Sequence, residues 1–175
     1  MNTEYEFGGI DIVSPKRVLG RGEFGEVLLG TFELARCAVK RQPANSTGQL
    51  KKLRNEIQMI RSRCNHQNII RYFCSRTLNI GGQKYVDIVM EMCDVDLCGF
   101  INDKYRIISL SEKIEIMSQC VAGVRYLHTS DPIIIHGDIK PSNILISFQR
   151  NNRLRVVITD FGLRFGSEYT GYIKT

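Results

Sequence analysis

The chain has 175 residues, 43% of them hydrophobic, enough for one globular domain of ordinary size or two small lobes. Lysine and arginine number 24 against 18 acidic residues, a net charge of +6. That excess fits either a solvated surface or contact with anions such as nucleotides, RNA or acidic lipid, and no block of five like charges marks a basic tail.

The opening MNTEYEFGG is acidic and lacks an apolar core, so no signal peptide is read there, and no apolar stretch reaches the length of a membrane span. Residues 13–41 then read as strand, glycine-rich turn, strand, turn, strand, with β-forming cores at Val18-Leu19, Val27-Leu28-Leu29 and Cys37-Ala38-Val39. Pro43, Asn45, Ser46, Thr47 and Gly48 make residues 42–49 a loop. Leu53, Ile57, Ile60 and Cys64 recur at helical spacing, which predicts a helix over 50–64. The apolar runs 69–77 and 85–92 flank Asn79-Ile80-Gly81-Gly82 and predict an antiparallel pair. After Cys93 the pattern turns helical. A short helix is predicted over 97–105 and a long one over 111–129, the latter opened by a capping box of Ser109 and Glu112. Ile114, Met117, Val121, Val124 and His128 are expected to form its apolar face.

Six cysteines without a C-x-x-C pair, and three histidines at no metal spacing from them, argue against a zinc site or disulfide framework. Buried free thiols in a reducing compartment are the expectation. Arg150, Arg153 and Arg155, with two asparagines, lie in a loop over 149–155. It reads as a solvated hairpin turn or as a surface for RNA or a partner subunit.

Four short runs carry chemistry. Gly20, Gly22 and Gly25 form a G-x-G-x-x-G, with Val27 two places on. Glycines let backbone close over phosphates with amide N–H groups aimed at the anion. A dinucleotide fold uses the same spacing, but here a strand follows rather than a helix, which favours a hairpin flap. Lys40 ends a β-branched strand 15 residues after Gly25. A cation there can hold the α- and β-phosphates, and Glu56, bordering the inward face of the first helix, can orient it. The run His136-Gly137-Asp138-Ile139-Lys140-Pro141-Ser142-Asn143 is polar between two isoleucine-rich stretches. In it Asp138 can accept a hydroxyl proton, Lys140 can neutralise a transferred phosphoryl, and Asn143 can hold a metal. Asp160, at a strand end 22 residues after Asp138, adds a second hard oxygen ligand for Mg²⁺.

In this order and spacing, the four runs resemble the protein kinase family over roughly residues 14–163. The resemblance implies an α+β, bilobal fold: a five-stranded antiparallel N-lobe sheet with one helix over 14–92 and an incomplete helical C-lobe over 93–175, after a tail of 13 residues. It implies ATP and Mg²⁺ as cofactors and Ser/Thr phosphorylation as the activity. Leu19, Gly20, Gly22, Gly25 and Val27 would cover ATP, Ala38 would touch adenine, and Lys40 would pair with Glu56. Asp138 would be the catalytic base, with Asn143 and Asp160 on the metal. Met90 would be the gatekeeper, and the Glu91 and Cys93 backbones the hinge. The stretches HQNIIRYFC, MEMC, GVRYLH and IHGDIKPSNILIS are similar to the kinase part of the unfolded-protein-response inositol-requiring kinase/endoribonuclease and of the 2-5A-dependent ribonuclease.

Those relatives imply alternatives to catalysis: a nucleotide-sensing module that regulates a ribonuclease through a homodimer, or an inactive truncated piece. Three departures bear on this. Gly137 stands where the family has arginine, which hints that loop phosphorylation is not the on-switch. The chain ends 13 residues after Gly162, without an Ala-Pro-Glu, and no ribonuclease domain follows. Partners implied are ATP and a Ser/Thr protein substrate, with no direct DNA binding and RNA only through a ribonuclease domain. A cytoplasmic setting is implied, or the cytosolic face of the endoplasmic reticulum should an anchor exist.

Overall fold

The computed structural model describes residues 10–12, 17–22, 25–150, 153–160 and 164–165. The chain divides into two compact units, one running to Arg63 and resuming over Arg71–Met92, the other taking Cys64–Ile70 and the chain from Cys93.

The first unit is a sheet built on alternation. Its strands are β1 (Ile10–Ile12), β2 (Val18–Gly22), β3 (Gly25–Phe32), β4 (Ala35–Pro43), β5 (Tyr72–Ile80) and β6 (Gln83–Glu91). The order is β1-β3-β4-β6-β5, all neighbours antiparallel, with β2 also lying along β3. The five expected strands are all present. The sixth, β1, falls in the stretch expected to be a tail. Leu28, Cys37, Val39, Cys74 and Val89 pack one face of the sheet into a core, joined by the stacked pair Phe32 and Phe73. Burying such side chains contributes about 1.5–3 kcal/mol each. At one end of that face the fully buried Asp87 takes Arg41 in a two-point ion pair and Arg76 beside it. A lone buried carboxylate would be costly, so the two guanidinium groups make its burial tolerable. Helix α1 (Thr47–Arg63) begins three residues before its expected start and buries Ile57 and Ile60.

Two turns in this unit take the left-handed conformation. Gly81 and Gly82 supply it readily between β5 and β6. Between β3 and β4 the same positions are filled by Glu33 and Leu34, neither of which favours positive φ.

The second unit carries β7 (Val95–Asp96), α2 (Leu97–Asn102), α3 (Leu110–His128), β8 (Ile134–Ile135), β9 (Ile144–Phe148), β10 (Leu154–Ile158) and β11 (Arg164–Phe165). A three-stranded sheet runs β10-β9-β7, and β11 pairs with β8. β9 and β10 pair antiparallel, and beyond their ends the Gln149 amide donates to the Arg153 carbonyl at 2.8 Å. The core joins Phe100, Ile116, Ile144, Ile146, Leu154 and Val156. The capping box at α3 is present as expected: the Ser109 hydroxyl accepts from the Glu112 amide, and the Glu112 carboxylate accepts from the Ser109 amide. Helix α2 ends at Asn102, short of expectation, because Asp103 turns extended and receives the Tyr105 amide.

Two expectations need correction. Ile69 and Ile70 do not belong to the strand that follows them. Ile69 lies beside Ile158 of the second unit in an isolated parallel bridge, bonded through the Ile70 amide and the Asn68 carbonyl, and β5 begins only at Tyr72. On α3 the buried residues are Ile116, Gly123 and Leu127, whereas Ile114, Met117 and Val121 are 59%, 67% and 66% exposed. The helix has apolar residues on several sides, and a close approach selects the stripe. A Cβ at Gly123 would lie 2.9 Å from the Asn68 carbonyl oxygen, so only glycine lets the 68–70 segment pack there.

All six cysteines are free, but only Cys37 and Cys74 are fully buried. Among the described residues no helix is long and apolar enough to cross a membrane, and no cluster of His, Cys, Asp and Glu could hold a metal.

Candidate active site

In the first unit the register fixes which side chains share a face. Gly20 is opposite Val27, Val27 opposite Lys40, and Lys40 opposite Ile88; Leu29 is opposite Ala38, and Ala38 opposite Met90. Directly opposed residues point the same way, so Val27, Ala38, Lys40 and Met90 line one face, reverse to the core cluster. Lys40 is half-buried there, and Ala38 and Met90 are buried. Leu19, Gly20 and Gly22 are exposed on β2, and Gly22 pairs with Gly25 at the hairpin end. The three glycines meet different demands. Gly25 has φ +137°, and a Cβ there would overlap the Arg41 carbonyl oxygen; Gly20 and Gly22 have open space over them. Glu91 closes β6, exchanging bonds with Arg71: its amide donates to the Arg71 carbonyl at 3.0 Å, and its carboxylate accepts the Arg71 amide at 2.9 Å. Cys93 is half-buried at the start of the second unit's main segment. Glu56 lies in α1, but its side chain is outside those described.

In the second unit, the loop after β8 is shaped by Gly137, whose φ of 75° turns the chain between His136 and Asp138. Pro141 opens a single 3₁₀ turn, Pro141–Asn143, that feeds β9. The Asn143 side-chain amide donates to both the Asp138 carbonyl and the Asp138 carboxylate, each at 2.9 Å. Lys140 Nζ lies 2.7 Å from the same carboxylate. Lys140 is therefore the main influence holding the Asp138 carboxyl below the ordinary carboxylate range, with Asn143 adding to it. A carboxylate pinned by two donors is oriented as well as charged.

His136 is buried and holds two segments at once. Its Nδ1 accepts the Asp138 amide at 3.2 Å, so its Nε2 carries the proton and donates to the Thr159 carbonyl at 2.9 Å. Burial lowers its pKa, which keeps this neutral tautomer. The Thr159 amide donates to the Asn143 carbonyl at 3.0 Å, so the residue before Asp160 is tied to the loop from both its backbone groups. Asp160 follows in the left-handed region, φ 59°, a conformation aspartate tolerates better than most residues. Phe161 and Gly162 lie outside the described residues.

The structure thus brings Asp138, Lys140 and Asn143 into direct contact and ties Thr159, one residue before Asp160, to the same loop. Its donor set suits a hard cation. Both Asn143 amide protons are spent on Asp138, so its Oδ1 is left as an oxygen donor. That amide oxygen and the Asp160 carboxylate are oxygen donors of the kind Mg²⁺ takes. Sequence reasoning overlooked His136 as an anchor. The signal was a single histidine directly after three isoleucines, where burial demands two hydrogen-bond partners.

Residues 13–170 match the protein kinase domain. The chain is 35% identical over 152 residues to the human serine/threonine-protein kinase/endoribonuclease IRE2, covering 86% of this chain and 15% of that protein. It is 32% identical over 154 residues to the Caenorhabditis elegans serine/threonine-protein kinase/endoribonuclease ire-1, with the same two shares. A similar 32% over 148 residues holds for "Probable serine/threonine-protein kinase drkA" of Dictyostelium discoideum, 83% of this chain and 22% of that protein. The chain therefore spans between about a seventh and a quarter of the length of these relatives.

Proposed function

Because the chain belongs to the protein kinase family, we propose that it binds ATP with Mg²⁺ and transfers the γ-phosphoryl group to serine or threonine. Support comes chiefly from one observation: the Asp138 carboxylate held by Asn143 and Lys140 in a loop that His136 ties to the residue before Asp160. On this reading residues 14–92 are the N-lobe and 93–175 a C-lobe segment. The β2–β3 hairpin lies over the phosphates, and Lys40, oriented by Glu56, pairs with them. Ala38 and Met90 border the adenine, with the Glu91 and Cys93 backbones beside it.

Asp138 orients the substrate hydroxyl and accepts its proton as the oxygen bonds to the γ-phosphorus and the bond to the β-phosphate oxygen breaks, releasing ADP. A carboxyl this acidic is a weak base in the ground state, so its main contribution is to aim the hydroxyl and take the proton late. Lys140, beside it, is placed to follow the charge of the moving phosphoryl group. Asn143 and Asp160 would hold the magnesium, which neutralises phosphate charge when bound.

The test is transfer of label from γ-labelled ATP to the chain itself or to a Ser/Thr peptide. Asp138→Asn keeps the shape and the contact to Asn143 but removes the base, so the rate is expected to drop about 10²–10⁴-fold. A rate within threefold of the unaltered chain refutes the assignment.

A second reading draws on the names of two relatives, which join kinase to endoribonuclease. Nucleotide binding would then shift self-association and so regulate a ribonuclease, on the cytosolic face of a membrane or in the cytoplasm. The same Asp138→Asn chain separates the two: if ATP or ADP leaves its monomer–dimer equilibrium unmoved in ultracentrifugation, this reading fails.

A further inference from the structure

β10 pairs with β9 along one edge only. Its other edge would expose alternating carbonyls and amides, yet each group on that side from the Leu154 carbonyl to the Ile158 carbonyl is bonded. The Leu154 carbonyl accepts Gln119 Nε2 at 2.9 Å, and the Val156 amide donates to Gln119 Oε1 at 2.9 Å. The Val156 carbonyl accepts Asn68 Nδ2 at 2.8 Å, and the Ile158 amide donates to the Asn68 carbonyl at 2.9 Å. The Ile158 carbonyl accepts the Ile70 amide at 3.0 Å. Asn68 Nδ2 also donates to Gln119 Oε1 at 2.8 Å, which welds the two amides together. Both orientations are forced. The strand presents a carbonyl then an amide to Gln119, and Asn68 meets two acceptors.

Two side-chain amides and a three-residue segment thus stand in for a missing strand. They grip β10 up to the residue before Thr159, where His136 and Asn143 take over. The seal also fixes the strand along its own axis: the Gln119 side-chain amide spans the Leu154 carbonyl and the Val156 N–H, and Asn68 takes the next pair, the Val156 carbonyl with its side-chain amide and the Ile158 N–H with its backbone carbonyl.

We propose that Gln119 and Asn68 are positioning residues for Asp160, setting where its carboxylate meets the metal. The inference rests on the reading of Asp160 as a magnesium ligand. Neither residue touches nucleotide, metal or substrate. Their effect passes through the β10 backbone alone.

The test compares ATP binding to the chain by calorimetry with Mg²⁺ and with EDTA, for the unaltered protein, Gln119→Met and Gln119→Glu. Methionine keeps the volume and loses every bond; glutamate keeps the acceptor for the Val156 amide and loses the donor to the Leu154 carbonyl. In Gln119→Met the factor by which Mg²⁺ tightens ATP is expected to fall about tenfold, as for other groups that support a metal ligand indirectly, with affinity in EDTA unchanged. Gln119→Glu is expected between the two, and to move toward the unaltered value as falling pH protonates the new carboxyl and restores a donor. A lowered melting temperature with the Mg²⁺ factor intact overturns the proposal, leaving a purely structural seal. Failure of both variants to fold overturns it too, since the amide would then be holding the unit together rather than aiming Asp160. If the unaltered chain binds ATP equally with and without Mg²⁺, the metal reading itself falls and takes this one with it.

Discussion

Alanine at Gly25 and alanine at Gly22 should have opposite consequences, although both belong to one sequence motif. At Gly25 the backbone sits at φ +137° and a Cβ would overlap the Arg41 carbonyl oxygen. Forcing an L-residue into that conformation costs about 1–3 kcal/mol. Relieving the overlap must also push β3 from β4 next to the Glu26–Arg41 pairing, which loses a ladder hydrogen bond of about 1 kcal/mol. The sum is about 3 kcal/mol, which lowers the melting temperature by roughly 6–12 °C for a chain of this length. At Gly22 nothing lies within 4 Å of the new methyl group, and φ is ordinary. Its stability should therefore stay within about 0.5–1 kcal/mol of the unaltered chain. Open space over a motif glycine is space for a ligand, so Gly22→Ala is expected to weaken ATP binding while leaving the melt in place. Differential scanning calorimetry with and without ATP reads both quantities. The reasoning is refuted if Gly25→Ala melts within 2 °C of the unaltered protein, or if Gly22→Ala is the one that unfolds early.

Replacing Glu33-Leu34 by Asn-Gly should raise stability by about 1–2 kcal/mol, because both residues hold positive φ and Leu34 is wholly exposed. An unchanged or lower melting temperature would show that the turn carries no strain. Acid should weaken the fold through His136. Its folded pKa lies below the ordinary 6.5, so the unfolded chain takes up the proton first. Stability is then full above about pH 6.5, declines as pH falls toward the folded value, and levels off below it. His66 shifts the same way, also through burial, so the diagnostic is a comparison. Urea melts between pH 7.5 and 5.5 should slope less steeply for His136→Gln, and equal slopes would exclude His136 as a source.

The motifs behind the family likeness were legible because each is a local demand written in residue type. A flap needs glycines, a metal needs oxygen ligands, and a helix start needs Ser109 with Glu112; none of these requires knowing what lies across the fold. The strands of the first unit were legible for a similar reason, since alternation and the Gly81-Gly82 turn are short-range. The inward stripe of α3 was not. Ile114, Met117 and Val121 make as good a helical face as Ile116 and Leu127, and periodicity alone has no preference between them. Residue type and order along the chain are enough to name the groups able to do chemistry. Folding chose which α3 face is buried, took Ile69 and Ile70 from their neighbours to β10, and set Gln119 and Asn68 against that strand. Such choices depend on which distant backbone groups need partners, and hydrogen-bond demand of that kind appears only once the chain has folded.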